Sequence, residues 1–273
     1  MPQIDFRPVS RVRPDCAWLL EHRANVTSQI GQDGILAKIF ETIGPGSRYG
    51  VEFGASDGRW LSNTYSLIAD RGWSGLLIEG NAEKCAEIRS NHPYDRVAAV
   101  NAVVGWQGED ALDAVLARHG APAKPDLLSI DVDGNDWHIW QALKRYRSRV
   151  VLIEFNPTVP NDVHFVQDPD PAVHQGASLL AMIGLAREKG YSLVCANQWD
   201  AFFVSDELYS AFKIPDNSID SMHFFPDMET RLFQGYDGTL ITAGNCRLIW
   251  KNVDFTSEEI QVLPRSLRHL GGI

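Results

Sequence analysis

The sequence predicts an α/β fold built on a mostly parallel, Rossmann-like sheet. Short and nearly continuous apolar runs, such as residues 75–78 and 150–153, alternate with helical patterns, as is typical of strands buried on both faces of a sheet. A glycine turn at residues 54–58 follows the first run, and polar side chains follow several others. Ligands bind at the carboxyl ends of the strands in open parallel sheets, so the functional residues are expected there.

The elements follow one another in a regular order. Residues 15–43 have a helical apolar periodicity, which Gly44-Pro45-Gly46 ends. An insert at 157–175, rich in proline, breaks the later alternation, and the last two strands are joined so closely that they must be antiparallel. We expect strands near 48–54, 74–79, 96–104, 126–132, 149–155, 191–197 and 201–205, and helices near 63–71, 82–91, 109–118, 136–144 and 178–189. The prediction is therefore a seven-stranded sheet with its last strand antiparallel and helices on both faces.

Three segments are predicted along the chain. Residues 1–46 form an N-terminal helical segment, residues 47–205 form the core with its insert at 157–175, and residues 206–273 form a C-terminal extension. Asp237-Gly238 in that extension predicts a hairpin turn. We expect the insert and parts of 206–255 to cover and select a substrate, so that deleting the insert would spare cofactor binding.

Composition favours small-molecule chemistry. The formal net charge of -10 disfavours nonspecific binding to nucleic acid or to anionic membranes. No window reaches the roughly 20 apolar residues of a membrane span, and the N-terminus lacks the apolar core of a secretory signal. The four cysteines are scattered, which fits reduced thiols and a cytoplasmic location. The oligomeric state stays open, with a homo-oligomer as one option.

The turn after the first strand carries acids as well as glycines. Gly54 and Gly58 allow a sharp turn and a close approach to a ligand, whereas Glu52 and Asp57 would repel a phosphate and attract a cation. S-adenosylmethionine (SAM) is nucleotide-like, carries a sulfonium and an ammonium, and has no phosphate. The turn therefore predicts SAM binding. Glu79, which lies 25 residues after Gly54, is placed to accept the ribose hydroxyls, although it could instead cap the following helix.

Oxygen donors follow two further strands. Asp131 and Asp133 end the fourth strand and Glu154 and Asn156 end the fifth, each pair with the period of two that places side chains on one side of a strand. Such a group predicts a site for Mg²⁺, Mn²⁺ or Ca²⁺ that would lower the pKa of a substrate hydroxyl. Turn formation, helix capping by Asp136 and a contact between Asp131 and the methionine part of the cofactor are the alternatives.

Histidines offer a general base. His138 follows the acidic turn and is the first choice as a base or ligand, while His164, His174 and His223 are further options. Each single histidine is more often structural than catalytic.

Several motifs together resemble FkbM-like SAM-dependent methyltransferases. The resemblance covers roughly residues 27–205 and lies in the segments 28–34, 51–58, 62–64, 72–80, 129–136, 153–157, 176–179 and 197–204. It implies a class I methyltransferase fold and O-methylation of a sugar, lipid or natural product. It also implies a cofactor site at Glu52, Gly54, Ala55, Asp57, Gly58, Asn63, Glu79, Gly80, Asn81 and Asp131, with Gln32 contributing from the N-terminal segment. Asp131 would face the reacting centre.

Related metal-dependent enzymes hold magnesium with acids after strands four and five, and Asn156 departs from their all-carboxylate pattern. Three other functions stay open. A nicotinamide-dependent oxidoreductase is disfavoured because Gly-x-Gly-x-x-Gly is missing and acids occupy the turn. A non-catalytic binding or scaffold protein and a SAM enzyme that transfers no methyl group are the other two.

Overall fold

A computed structural model describes residues 10–268, without the side chain of Trp250. Residues 1–9 of the predicted N-terminal segment and 269–273 of the predicted extension lie outside the described residues. The strands are β1 (Tyr49–Phe53), β2 (Ser74–Glu79), β3 (Val97–Asn101), β4 (Leu127–Ile130), β5 (Val150–Glu154), β6 (Tyr191–Ala196), β7 (Asp200–Ser205), β8 (Thr230–Gln234), β9 (Leu240–Gly244), β10 (Arg247–Leu248) and β11 (Val253–Asp254). The α-helices are α1 (Gln32–Ile43), α2 (Tyr65–Ala69), α3 (Ala82–Asn91), α4 (Leu112–Arg118), α5 (Asp136–Ala142), α6 (Leu179–Glu188), α7 (Asp206–Tyr209) and α8 (Ile219–Met222).

Seven of these strands form one sheet, in the order β3-β2-β1-β4-β5-β7-β6. The four pairs β2–β3, β1–β2, β1–β4 and β4–β5 are parallel, whereas β7 is antiparallel to both of its neighbours, β5 and β6. The predicted sheet, with its last strand antiparallel, is confirmed. The strand order reverses at β1, which places the crevice between β1 and β4 where ligands bind in open sheets.

The strands are apolar because both faces of the sheet are covered. All four residues of β4 are buried, as are Val150–Ile153 of β5 and all of β7. Helices α3 and α6 pack on the sheet through residues such as Ile88 and Met182, which are fully buried. Burial of this kind is the main favourable contribution to folding. Within the described residues, no helix is both long and apolar enough to cross a membrane.

The N-terminal segment differs from the single helix predicted over 15–43. A short 3-10 helix (Trp18–His22) is followed by a loop, and α1 begins only at Gln32. Asp33 explains the break, because its Oδ2 accepts hydrogen bonds of 2.8 Å from the main-chain N–H groups of residues 26–28. A helix through those residues would lose these charge-assisted bonds.

The C-terminal extension contains the predicted hairpin. Strands β8 and β9 pair antiparallel on either side of Asp237-Gly238, and Gly238 has a φ of 82° that suits glycine. The N–H of Thr230 donates to the carbonyl of Thr158 at 2.9 Å, so the hairpin is fastened to the insert. The extension thus lies near the edge of the sheet at which β5 ends.

An ion pair between Asp126 and Arg149 lies at the other end of the sheet, where β1, β4 and β5 begin. The carboxylate of Asp126 has no exposed surface and accepts hydrogen bonds from the N–H groups of Gly46 and Arg48 and from Arg149 Nη1 at 2.7 Å. These contacts tie the segment before β1 to the starts of β4 and β5.

Replacing this carboxylate should destabilise the fold strongly. Asp126→Ala leaves the Arg149 guanidinium and two main-chain N–H groups without their acceptor. We therefore expect a loss of about 3 kcal/mol in the free energy of unfolding, measured by urea denaturation. Asp220→Ala is the matched control, since it breaks an exposed pair with Arg11 and should cost less than about 0.5 kcal/mol. Equal losses in the two variants would contradict the role assigned to Asp126.

Candidate functional site

Two adjoining cavities open at the carboxyl ends of the strands. The first has a volume of about 850 Å³ and the second about 570 Å³. Gly54, Glu79, Val132 and His174 line both of them. One elongated ligand could therefore pass from the first cavity into the second across the end of β1.

The register of the sheet places one polar row along this edge. Phe53 pairs with Ile78 and Ile130, Ile130 pairs with Ile153, and Glu154 pairs with Asp200. The next residue on each strand extends the row, which therefore runs Glu79, Gly54, Asp131, Glu154 and Asp200 across β2, β1, β4, β5 and β7.

Gly54 allows the end of β1 to approach the end of β4 closely. Its φ is 72°, and a Cβ built on it would lie 1.7 Å from the carbonyl oxygen of Asp131. Only glycine fits this approach, so the turn after β1 packs directly against the end of β4. The sequence predicted Gly54 as a cofactor residue, and the structure adds that the neighbouring strand also requires it.

Glu79 holds the turn from the other side. Its Oε2 accepts a hydrogen bond from the N–H of Ser56 at 2.7 Å, and its Oε1 accepts one from Asn81 at 2.8 Å. Each carboxylate oxygen keeps a further lone pair for a ligand at the junction of the two cavities. Ala55 lines the first cavity and Gly80 the second, on either side of this carboxylate.

Glu52 and Asn63 form one wall of the first cavity. Glu52 Oε1 accepts from the N–H of Asn63 at 2.7 Å, and its Oε2 accepts from the hydroxyls of Ser62 and Thr64. Burial raises the pKa of Glu52, although these hydrogen bonds oppose the effect. The Asn63 amide donates to Ser129 Oγ at 3.1 Å, while its Oδ1 is buried and has no partner. A buried acceptor of this kind is costly unless a ligand donates to it.

Three carboxylates meet across β4 and β5. Oxygens of Asp131, Asp133 and Glu154 lie within 4.8 Å of one another. Asp131 is exposed through the cavity opening, yet protein surrounds its other sides, and burial followed by the charge of Asp136 raises its pKa well above the usual range. Burial and then the charge of Asp131 raise the pKa of Glu154 in the same way. The group would be stabilised by a cation.

Two further acids, Asp136 and Asp200, lie next to this group of three carboxylates. Asp136 begins α5, and its carboxylate accepts 2.9 Å hydrogen bonds from the N–H groups of Val132 and Gly134. Asp200 accepts from Gln32 Nε2 at 2.8 Å and from Asn197 Nδ2 at 3.1 Å, and burial raises its pKa to about 6. Asp136 thus fixes the loop that carries Asp131 and Asp133. The capping alternative is wrong, because the N-cap of α5 is Asn135 and no side chain caps this helix.

The insert supplies a histidine to both cavities. His174 Nδ1 lies 3.0 Å from the carbonyl oxygen of Asp133, so Nδ1 carries the proton and Nε2 is left as an acceptor. Gln167 holds the insert: its Oε1 accepts from the N–H groups of Gln175 and Gly176, and its Nε2 donates to Val173 O at 2.8 Å. His174 was only one of four histidines in the sequence-based prediction, because its approach to Asp133 depends on the folded insert.

Three residues predicted for the cofactor site have partners within the protein. Asp57 Oδ1 accepts from the N–H groups of Arg59 and Trp60, at 2.9 and 2.6 Å, and Asp57 lies outside the lining of both cavities. Gly58 faces the core, where a Cβ would meet side chains at 3.1–3.2 Å. Asn81 Oδ1 caps α3 by accepting from the N–H groups of residues 83 and 84.

Three predicted side chains outside the turn also have internal partners. Gln32 bridges Asp200 and the N–H of Ile30, so it contacts the site only through Asp200. Asn156 Oδ1 accepts from the N–H and the hydroxyl of Thr158, and its Nδ2 donates to Gln175 O, which fixes the insert and leaves no lone pair for a metal. His138 lies outside both linings, with Nε2 at 2.8 Å from Gln167 O, and so buttresses the insert.

The second cavity was not predicted from the sequence. Its wall combines Ile78 and Ile139 with the segment 102–107 after β3, and Pro169 and Pro171 of the insert close it. The apolar residues Ala102–Val104 followed by Gly105-Trp106 were the available signal. Because the insert lines this cavity as well as the first, its deletion would disturb both.

Positive charge is scarce around the site. Among the described residues, neither cavity is lined by Lys or Arg, and five carboxylates line the first. Phosphate groups bind to such cations or to helix N-termini, and here acids occupy the turn.

The strand order identifies the fold. The chain has the Rossmann-like fold of the class I methyltransferases. No family model matches the chain, and no curated protein is similar to it in sequence at a significant level.

Solved structures similar to this chain include three methyltransferases. An O-methyltransferase from Bacillus cereus in complex with SAH is 18% identical over 70% of this chain and 89% of its own, with a TM-score of 0.43. A TehB-like SAM-dependent methyltransferase from Corynebacterium glutamicum is 12% identical over 62% and 86%, with a TM-score of 0.39. A precorrin-6y C5,15-methyltransferase from Geobacter metallireducens is 15% identical over 66% and 90%, with a TM-score of 0.40. These similarities are too low to bear on activity.

The raised pKa of Asp200 predicts a dependence of stability on pH. The Asp200 carboxyl keeps its proton up to about pH 6 in the folded state, whereas in the unfolded chain it has its ordinary pKa of 3.8, so stability falls as pH rises through that window. Asp200→Asn keeps an acceptor for Gln32 and Asn197 and removes the charge. We expect its free energy of unfolding to exceed that of the wild type by about 1–3 kcal/mol at pH 7.5 and by less than half of that gain at pH 4.5, measured by urea denaturation.

Asp95→Asn, at an exposed position in a turn, is the control for this comparison. A gain from Asp200→Asn that is equal at both pH values would show that the burial of this carboxylate is not its cause.

Proposed function

We propose that the protein is a SAM-dependent O-methyltransferase of the FkbM-like type that acts on a small hydroxylated molecule. The observation that carries the proposal is the pair of adjoining cavities, with Glu79 at their junction and an unpartnered buried Asn63 oxygen in the first. A nucleoside joined to a charged amino acid fits this arrangement along its whole length.

The cofactor fits the cavities in one direction. The ammonium of SAM would donate to Asn63 Oδ1 beside Glu52, and the ribose hydroxyls would donate to Glu79. The adenine ring would then occupy the largely apolar second cavity, against Trp106 and Ile139. Bound this way, SAM would place its positively charged methyl donor near Asp131, whose pKa is raised by burial and by the charges of neighbouring acids.

A nicotinamide-dependent oxidoreductase fits less well. A dinucleotide brings a pyrophosphate to the turn after β1, where Glu52 and Glu79 lie and where no described Lys or Arg lines either cavity. A non-catalytic scaffold has no use for a row of acids with raised pKa values at an open cavity, since their crowding costs stability.

Transfer would proceed by in-line attack of the acceptor hydroxyl on the methyl group, so that the O–C bond forms as the S–C bond breaks and SAH leaves. The first cavity would hold the two reactants close together and keep water away. His174 Nε2 would accept the proton, a role supported by the bond between Nδ1 and Asp133 O, which leaves Nε2 as the acceptor. The insert therefore contributes a base as well as a wall, and the first-choice base from the sequence, His138, keeps a positioning role.

The carboxylates of Asp131, Asp133 and Glu154 would hold a divalent ion, Mg²⁺ or Mn²⁺. Their oxygens are hard donors close enough to share one ion, and waters or acceptor oxygens would complete its coordination. Bound there, the ion would lower the pKa of an acceptor hydroxyl. Asn156 is not part of this proposed set, because its amide is bonded to Thr158 and Gln175.

Cofactor affinity tests the first part of the proposal. Calorimetric titration should show that the wild type binds SAM, and that Asn63→Leu and Glu79→Gln each weaken the affinity about 10- to 100-fold. The first variant removes the acceptor proposed for the ammonium of SAM, and the second removes the carboxylate proposed for the ribose hydroxyls. Asp57→Asn retains the acceptor for Arg59 and Trp60 outside the cavities, and it should change the affinity less than about threefold. An effect of Asp57→Asn as large as that of Glu79→Gln would contradict the placement of the ligand.

Manganese binding tests the metal site. Loss of the electron paramagnetic resonance signal of free Mn²⁺ should reveal one site in the wild type, and Glu154→Gln should weaken it at least about tenfold by removing one carboxylate ligand. Glu188→Gln, at an exposed position on α6, is the control. Absence of Mn²⁺ binding, or binding that survives Glu154→Gln, would exclude this site.

A further inference from the structure

The mouth of the first cavity exposes a pair of large apolar side chains. Trp60 is 70% exposed and Leu61 is 42% exposed, and both line the cavity. Trp199 and Ile249 line it as well, from the turn between β6 and β7 and from the C-terminal extension. Apolar surface that converges on a cavity from three parts of a chain indicates a ligand.

The loop that carries this pair is held rigidly. Asp57 Oδ1 accepts from the N–H of Trp60 on one side, and on the other Ser62 donates to Glu52 Oε2 at 2.7 Å and accepts from Thr27 Oγ1 through its carbonyl. Leu61 has a φ of 59°, in a region that a branched residue enters at a cost. A fixed and strained loop that exposes tryptophan is expected where a ligand contacts it.

The charges in the cavity restrict the ligand further. Below the mouth lie Glu52, Glu79, Asp131, Asp133 and Glu154, and His174 is the only described basic side chain that lines the cavity. When ionised, the acids repel an anion, and when protonated they cannot neutralise one. An acceptor that brings a further phosphate or carboxylate group into this cavity is therefore disfavoured on electrostatic grounds.

Proton removal favours one type of hydroxyl. A phenol has a pKa of about 10, as in tyrosine, so its hydroxyl loses a proton far more readily than that of an aliphatic alcohol. A flat ring also presents the face that packs best on an exposed indole such as Trp60. The cavity of about 850 Å³ has room for such a ring beside the methionine part of a cofactor.

We propose that the acceptor is an uncharged or cationic aromatic hydroxyl compound, whose ring packs on Trp60 and Leu61 while its hydroxyl enters among the carboxylates beside His174. This inference rests on the proposed methyltransferase function. It narrows the substrate to phenols and catechols, and it makes Trp60 a residue that determines specificity.

A series of probes that differ in charge tests the proposal. The protein is saturated with S-adenosylhomocysteine (SAH) in buffer with Mg²⁺ and titrated with catechol, dopamine, protocatechuate and methyl glucoside, which are neutral, cationic, anionic and non-aromatic. Catechol and dopamine should bind, and protocatechuate and methyl glucoside should bind at least about tenfold more weakly. With SAM in place of SAH, mass spectrometry should detect methylated catechol or dopamine.

Variants locate the binding surface. Trp60→Ala should weaken catechol or dopamine at least about tenfold, and Trp60→Phe, which keeps an aromatic face, should restore much of that loss. Tyr236→Ala is the control, because Tyr236 is fully exposed on the hairpin and lines neither cavity. Affinity for SAH, measured in each variant, should stay unchanged, since Trp60 is placed on the acceptor.

Three results would overturn the proposal. They are tighter binding of protocatechuate or methyl glucoside than of catechol and dopamine, failure of both catechol and dopamine to bind the SAH complex, and unchanged binding in Trp60→Ala. SAH binding by the wild type in the same experiment would keep the proposed cofactor site intact in each case. If the wild type bound no SAH, the proposed function itself would fail, and this inference with it.

Discussion

The close approach of β1 to β4 at Gly54 is the constraint on which the site depends. A side chain at this position would collide with the carbonyl oxygen of Asp131, only 1.7 Å from where its Cβ would lie. Because the strands meet without a side chain between them, the turn after β1 and the acids after β4 form one surface. The parallel register then brings Glu79 and Glu154 into the same row, and the antiparallel β7 adds Asp200. Backbone packing thus creates the polar edge.

That edge carries several carboxylates and, within the described residues, lacks lysine and arginine side chains to balance them. Asp131, Glu154, Asp136 and Asp200 all have raised pKa values, because burial and mutual repulsion disfavour their charged forms, and no described Lys or Arg lines the cavities to relieve them. A protein that keeps such a group gives up stability for function. A sulfonium and ammonium from the cofactor, a divalent ion, or both would supply the missing positive charge. Cofactor binding and metal binding are therefore expected to stabilise the fold as well as to prepare the reaction.

The sequence predicted the sheet better than it predicted the site. Apolar runs and glycine turns located all seven strands, because burial on both faces is encoded in consecutive residues. The 15–43 helix was wrong at its start, since the bonds from Asp33 to residues 26–28 are not visible in a periodicity. Asp57 and Asn156 bond to residues two or three positions later, a local turn pattern that the sequence could have indicated. Gln32 instead points to Asp200, a partner that only the folded chain brings near it. The same holds for His174, which reaches Asp133 across 41 residues of sequence.

The most direct test of the account is a crystal structure of the protein grown with SAH. The account predicts SAH across the two cavities, with its ammonium at Asn63 Oδ1, its ribose hydroxyls on Glu79 and its adenine beside Trp106. Its sulfur should lie on the Asp131 side of the junction, open to the cavity that Trp60 borders. SAH bound elsewhere, SAH bound in the reverse direction, or cavities that stay empty at saturating SAH would contradict the central claim.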